Sequence, residues 1–91
     1  MKSVLQDDKV CYLCGRLVTL ERHHIFAGVA NRKLSEKHGL WVWLCHRCHT
    51  GTDGAQYDPE KARLLKADAQ FAFEQSHTHS EWMRLFRKNY L

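Results

Sequence analysis

The chain has 91 residues, a net charge of +4 from 14 Lys and Arg against 10 Asp and Glu, 44% hydrophobic and 26% charged residues. That balance is globular rather than disordered. No apolar run approaches the roughly 18 residues of a membrane span, and Met1-Lys2-Ser3-Val4-Leu5-Gln6-Asp7-Asp8 holds no apolar signal core, so the expected compartment is the cytoplasm. One small domain is expected, and a chain this short buries only ~60–65% of the surface its unfolded form exposes. Such a domain usually needs a staple.

Residues 1–10 are polar and read as a flexible N-terminus, leaving 11–91 as the domain. Leu17-Val18-Thr19-Leu20 reads as a short strand, Glu21-Arg22 as a turn or kink, and His23-His24-Ile25-Phe26 as resumed extended chain. Ala27 to Gly39 is a polar, basic connection with room for a short helix from Arg32 to His38, stopped by Gly39. Leu40-Trp41-Val42-Trp43-Leu44 is the clearest strand, five apolar residues between Gly39 and Cys45. Cys45-His46-Arg47-Cys48-His49 opens a helical turn that Gly51 and Gly54 interrupt. Asp58-Pro59-Glu60 starts a helix, with Asp58 as N-cap and Pro59 at the first helical position, whose apolar residues run to Phe73 and which ends near Gln75. Thr78 with Glu81 fits a capping box, with Ser80 a competing N-cap, for a last helix carrying Trp82, Leu85, Phe86 and Tyr90 at i, i+3, i+4 and i+8. The expected fold class is α+β: a stapled hairpin over 11–50 and packing helices over 58–91, with Trp41 and Trp43 as core beneath those helices and Phe71, Phe73, Trp82 and Phe86 as packing residues.

The staple is visible in the cysteines. Cys11 and Cys14 flank two residues, Cys45 and Cys48 do the same, and thirty residues separate the pairs. Two such knuckles place four thiolates at the corners of a tetrahedron, the geometry of a closed structural Zn²⁺ site. Disulfides, or a mixed site in which His46 or His49 replaces a cysteine, are the alternatives. Seven histidines is a high count for this length, and His is the commonest metal ligand and the usual near-neutral base. His23 and His24 lie on extended chain, where neighbours point to opposite faces, so one can hold a metal while the other stays free. His49 follows the last cysteine, and a metal held by His23 and His49 would have the uncommitted imidazole of His24 beside it.

Cys11–Cys14, Arg22-His23-His24-Ile25, the strand from Gly39 to Leu44 and Cys45-x-x-Cys48-His49 together resemble the HNH endonucleases of the ββα-metal class, over roughly residues 11–50. The tail beyond Ala55 looks like small phage and prophage members, which implies a bacterial or phage-infected host cell. The resemblance implies a small ββα-metal fold, His24 as general base, and His23 and His49 as ligands of a catalytic Mg²⁺ or Mn²⁺ or another divalent transition metal. Many members carry an Asn five residues before the third cysteine, where this chain has Leu40, so Asn31 in the connecting loop is the candidate to orient the base. Many also carry a further ligand four residues after the His at 49, which here is Asp53, with Gln56 a weaker candidate.

The implied activity is hydrolysis of DNA phosphodiester bonds, most readily in double-stranded DNA, with low intrinsic sequence specificity because no recognition helix is evident. His24 would take a proton from the attacking water, and the divalent ion would act as Lewis acid and charge sink. Arg32, Lys33 and Lys37 are candidates for backbone phosphate contacts, or a solvated charged loop. Two other readings compete: a non-catalytic zinc module binding nucleic acid or protein, and a ribonuclease or toxin using the same site. His38 and His46 are expected on the surface.

Overall fold

A computed structural model describes all 91 residues. The chain runs β1 (Leu20–His24), α1 (Val29–His38), β2 (Trp41–Cys45), α2 (His46–Thr50), α3 (Pro59–Phe73) and α4 (His79–Phe86). It is α+β, with a two-stranded antiparallel sheet and four helices. No helix is long and apolar enough to cross a membrane.

β1 passes straight through Glu21-Arg22, where a kink was expected, and the expected strand residues Leu17 and Val18 lie outside it and exposed. Pairing decides this. Leu20 opposes Cys45, Glu21 opposes Leu44, Arg22 opposes Trp43, His23 opposes Val42 and His24 opposes Trp41. A strand gains its ladder only where a partner exists, and β2 offers five residues. Period-2 alternation then sorts the side chains. Glu21 and His23 share a face with Val42 and Leu44, while Arg22 and His24 share the other with Trp41 and Trp43.

The face carrying Val42 and Leu44 is the core. Both are fully buried, with Leu40, Leu65, Ala69, Phe73, Trp82, Ile25 and Phe26 around them. Phe26 stacks on Phe86 at 4.4 Å, and Trp82 lies 4.3 Å from Phe86 and 5.5 Å from Phe73 between ring centroids. Each such fully buried side chain contributes about 1.5–3 kcal/mol. Trp41 and Trp43 are not part of this cluster, contrary to the expectation. Alternation does put the two indoles on one face, but the helices cover the other, which carries Val42 and Leu44. The two indoles pack against each other at 5.3 Å, under the Arg22 guanidinium at 3.8 Å from Trp41 and the Lys9 ammonium at 4.6 Å from Trp43.

The N-terminal segment covers them. The Val4 amide donates to the Gly39 carbonyl (2.9 Å), Trp41 Nε1 donates to the Met1 carbonyl (3.0 Å), Ser3 Oγ donates to the Trp41 carbonyl (2.5 Å), and the Trp43 amide donates to Gln6 Oε1 (2.6 Å). Residues read as a flexible terminus from their polarity are therefore laid along β2, because an edge strand has free amides and carbonyls to satisfy.

α3 begins as expected, with the Asp58 carboxylate accepting from the Glu60 and Lys61 amides. It buries Leu65, Ala69 and Phe73 at i, i+4 and i+8, while Phe71 points to solvent at 61% exposure rather than packing. α4 has the full capping box between Thr78 and Glu81. It stops at Phe86, short of the Tyr90 expected on it, because Arg87 turns left-handed. The tail then returns to α3: Gln70, fully buried, accepts from the Tyr90 amide (2.6 Å) and donates to Asn89 Oδ1 (2.8 Å).

Gly39 and Gly15 both hold left-handed backbone, with φ of +69° and +79°. A Cβ at Gly39 would fall 2.3 Å from the Lys2 carbonyl oxygen, whereas one at Gly15 would meet nothing within 4 Å. Gly15→Ala should therefore cost only the left-handed penalty of about 1–2 kcal/mol, and Gly39→Ala should cost clearly more. Denaturant unfolding of the two variants checks the order, and equal losses would mean that the N-terminal segment is not seated on β2. A titration probes the other end of the fold. Burial, together with the Asp68 carboxylate that accepts the Tyr12 hydroxyl proton at 2.7 Å, pushes the Tyr12 phenol up to about 12. Folding thus favours protonated Tyr12, so its stabilisation is complete below pH 10 and is lost as the pH rises towards 12. In an ultraviolet tyrosinate titration, the late-ionising phase should vanish in Tyr12→Phe.

Candidate metal centre and histidine cleft

The cysteine sulfurs converge. Cys11, Cys14, Cys45 and Cys48 each offer a sulfur within 4.8 Å of the others, with Cys14 and Cys45 Sγ atoms 3.6 Å apart, and no disulfide links them. A tetrahedral site with Zn–S bonds of ~2.3 Å separates its sulfurs by ~3.8 Å, so the four cysteines fit a zinc ion. Local backbone explains the convergence. The Gly15 amide donates to the Cys11 carbonyl (2.8 Å), closing the first knuckle, and Cys45 is both the last residue of β2 and the N-cap of α2. Burial raises the Cys11 thiol, but backbone amides of Cys45, Cys14 and Leu13 outweigh it and bring the group down to about 6. Amides directed at a sulfur favour the thiolate form that a metal requires.

The alternative mixed site is not what the chain builds. His46 and His49 turn away from the sulfurs towards Glu21, whose Oε2 lies 3.1 Å from His46 Nδ1 and whose Oε1 lies 2.7 Å from His49 Nδ1. These hydrogen bonds, His49 first, hold the Glu21 carboxyl below its ordinary range. An ionised carboxylate only accepts, so His49 Nδ1 carries the proton and its Nε2 lone pair is free.

His23 and His49 do come together, their ring centroids 5.0 Å apart and edge to face. They arrive from β1 and α2. Burial, with the nearby His49 and His24 adding to it, brings His23 down to about 4, so its imidazole is neutral and able to act as a ligand at any pH above that. No third side chain joins the pair: apart from the four cysteines, no three His, Cys, Asp or Glu residues bring ligand atoms within 4.8 Å of one another. Asp53, expected four residues on from His49, is placed elsewhere, in a cavity of about 670 Å³ lined also by Cys14, Cys45, Cys48 and Lys61. The reason is the helix end. α2 stops at Thr50 and Gly51 adopts extended backbone, so residue 53 never reaches the i+4 position above His49.

His24 emerges from the opposite face of β1. Its Nε2 lies 2.7 Å from Glu36 Oε2 on α1, and Arg22 Nη1 meets the other oxygen of Glu36 at 2.5 Å. The hydrogen bond with His24, helped by the Arg22 charge, keeps the Glu36 carboxyl below its usual range. His24, Val29, Arg32, Lys33 and Glu36 line an open cleft of about 420 Å³. Arg32 and Lys33 are thus beside His24, whereas Lys37 is exposed and outside the cleft lining. Asn31, the candidate partner of His24, is exposed on α1 and makes no hydrogen bond to it; the neighbouring turn supplies Glu36 instead. His46 is exposed as expected, while His38 is half-buried with its ring 5.5 Å from Phe73.

Sequence reading missed both glutamates. Glu21 was legible in principle, since it stands two residues before His23 on the same strand face, and His46 and His49 are one helical turn apart. Glu36 was not, because its approach to His24 depends on how residues 25–28 turn α1 back across the sheet. Compared with known proteins, the chain matches no family model, no curated protein and no solved structure.

Metal removal tests the cysteine site. Zinc-finger-like sites contribute ~10–16 kcal/mol of apparent folding free energy at neutral pH, more than a domain of this size holds in reserve. Chelation, or Cys14→Ser, should unfold the domain in far-ultraviolet circular dichroism, and the purified protein should contain one tightly held metal. A chelated protein that melts at the untreated temperature would remove the structural role.

Proposed function

We propose that this domain is a metal-dependent endonuclease of the HNH type, hydrolysing phosphodiester bonds in DNA. The observation that carries the reading is the meeting of His23 and His49, two neutral-capable imidazoles from separate segments, beside the four-cysteine frame. The order β1, β2, α2 also supplies the strand, strand and helix that a ββα-metal site needs, and the resemblance of residues 11–50 to that family assigns the roles.

His23 and His49 are the residues that would hold a divalent ion, His49 through Nε2, since its Nδ1 is committed to Glu21. Such an ion supplies Lewis acidity towards a phosphate oxygen. The remaining work falls to the chain. His24 accepts a proton from water through its Nδ1, which makes no hydrogen bond within the protein. That water's oxygen bonds to phosphorus and the 3′ oxygen departs, taking its proton from solvent. Arg32 and Lys33 hold the backbone phosphates next to His24 and read no bases, which gives low sequence specificity.

One observation favours a second reading. With no third protein ligand closing on His23 and His49, the domain also suits a non-catalytic zinc module that binds nucleic acid. Plasmid nicking with Mg²⁺ and with Mn²⁺ separates the two. The wild type should nick, His24→Ala should fall by ~10²–10⁴ with its metal binding intact, and His49→Ala should lose metal affinity and regain part of its rate in excess metal. Single-stranded RNA, run in parallel, decides between a deoxyribonuclease and a ribonuclease. A wild type that cleaves neither nucleic acid with any divalent ion leaves the non-catalytic module as the function.

A further inference from the structure

We propose that Glu36 is the positioning residue of the site, holding the His24 imidazole by its Nε2–H so that Nδ1 faces the cleft lined by Arg32 and Lys33. The proposal rests on the nuclease reading above and adds to it a residue that neither the sequence pattern nor the resemblance supplies.

The geometry has four parts. First, the 2.7 Å contact between His24 Nε2 and Glu36 Oε2 fixes which nitrogen carries the proton. A carboxylate only accepts, so Nε2 donates and the Nδ1 lone pair is left for water. Second, Glu36 is held at both oxygens. Its other oxygen is held by Arg22 Nη1, and the Arg22 guanidinium rests 3.8 Å from the centre of the Trp41 ring. Arg22 and His24, neighbours on one face of β1, thus each hold one oxygen of the carboxylate.

Third, the helix that carries Glu36 is anchored at the neighbouring residue. Ser35 is fully buried, its Oγ accepts from the Phe26 amide at 3.4 Å, and its carbonyl accepts from the Leu40 amide at 2.7 Å. Fourth, Arg32 and Lys33 lie four and three residues before Glu36, on the α1 face that lines the same cleft as His24. Residues at that spacing share one side of a helix. One helix face therefore presents two cations for a phosphate and one anion for the base that acts on it.

An ion pair that merely fastens α1 to the sheet would show the same contacts, so the test must read the imidazole itself. In nitrogen-15 long-range correlation spectra recorded where the imidazole is neutral, wild-type His24 should show one tautomer, protonated at Nε2. Glu36→Ala should give an averaged mixture of both tautomers. Glu36→Gln offers one acceptor oxygen where the carboxylate offers two; with Arg22 donating to that oxygen, the amide NH2 meets Nε2 and should shift His24 to the tautomer protonated at Nδ1. In single-turnover DNA cleavage at saturating metal, Glu36→Ala should lose ~10–100-fold in rate, the usual effect of removing an outer-shell partner. Glu36→Gln should lose at least as much, because an imidazole protonated at Nδ1 cannot take the water's proton there, an outcome that a merely structural ion pair would not give.

The double variant His24→Ala/Glu36→Ala should cleave no more slowly than His24→Ala alone, because Glu36 acts only through His24. If Glu36→Ala is too unstable to purify, Glu36→Asp, which keeps the charge but withdraws it by one methylene, carries the same comparison. A wild type that cleaves, with Glu36→Ala (or Glu36→Asp) at the wild-type rate or with losses that add to those of His24→Ala, overturns this proposal alone. A wild type that cleaves nothing overturns the nuclease reading, and a catalytic role for Glu36 falls with it.

Discussion

The convergence of the four cysteine sulfurs is the constraint on which the rest of the molecule depends. Cys45 closes β2, caps α2 and faces Cys14 at 3.6 Å, so the sulfur cluster fixes where the second strand must end. The opposition of Leu20 to Cys45 follows, and with it the pairing of His23 with Val42 and His24 with Trp41. Strand side chains alternate, so a slip of one residue would exchange the faces of the two histidines and separate His23 from His49. The metal-binding frame is in this sense a register device. It keeps one imidazole turned towards α2 and the next towards α1.

Two glutamates complete what the register begins. Glu21 and Glu36 each engage one imidazole of the candidate site and one further cation or histidine, and both are only partly exposed on the sheet's flanks. Each uses a carboxylate to settle the tautomer of a histidine, leaving the opposite nitrogen bare. The faces differ in what surrounds them. On the His23 side burial keeps the ring neutral, whereas on the His24 side the ring lies in an open cleft with two cations.

Local signals in the chain carried most of the architecture. The apolar run before Cys45, the Asp58-Pro59 start and the Thr78–Glu81 capping box each act within a few residues, and each appears where the spacing put it. The cysteine cluster was legible for the same reason, since the paired spacing admits few geometries. What the sequence hid was long-range. Whether Glu21-Arg22 bends depends on β2 lying opposite, and whether residues 1–10 are loose depends on the free edge of that strand. Asp53 was misplaced because i+4 spacing has meaning only inside a helix, and Gly51 ends α2 first. Alternation groups Trp41 with Trp43 on one face, but which face the helices cover is a long-range matter, and they cover the face of Val42 and Leu44 instead. Asn31 is exposed on α1, and the residue of that helix that meets His24 is Glu36, five positions on.

The layering of the indoles has an optical consequence. Trp82 is sealed among Phe26, Phe73 and Phe86, while Trp41 and Trp43 sit on the far side of the sheet beneath Arg22, Lys9 and the first residues of the chain. The intrinsic emission of the protein is therefore a sum of two reporters in separate compartments. One responds to the integrity of the helical layer, and the other to whether the amino-terminal residues remain seated on the hairpin. With Trp82 replaced by Phe, the fluorescence of the domain becomes a local gauge of that covering segment. Detachment of the segment then becomes observable as an event distinct from unfolding of the core.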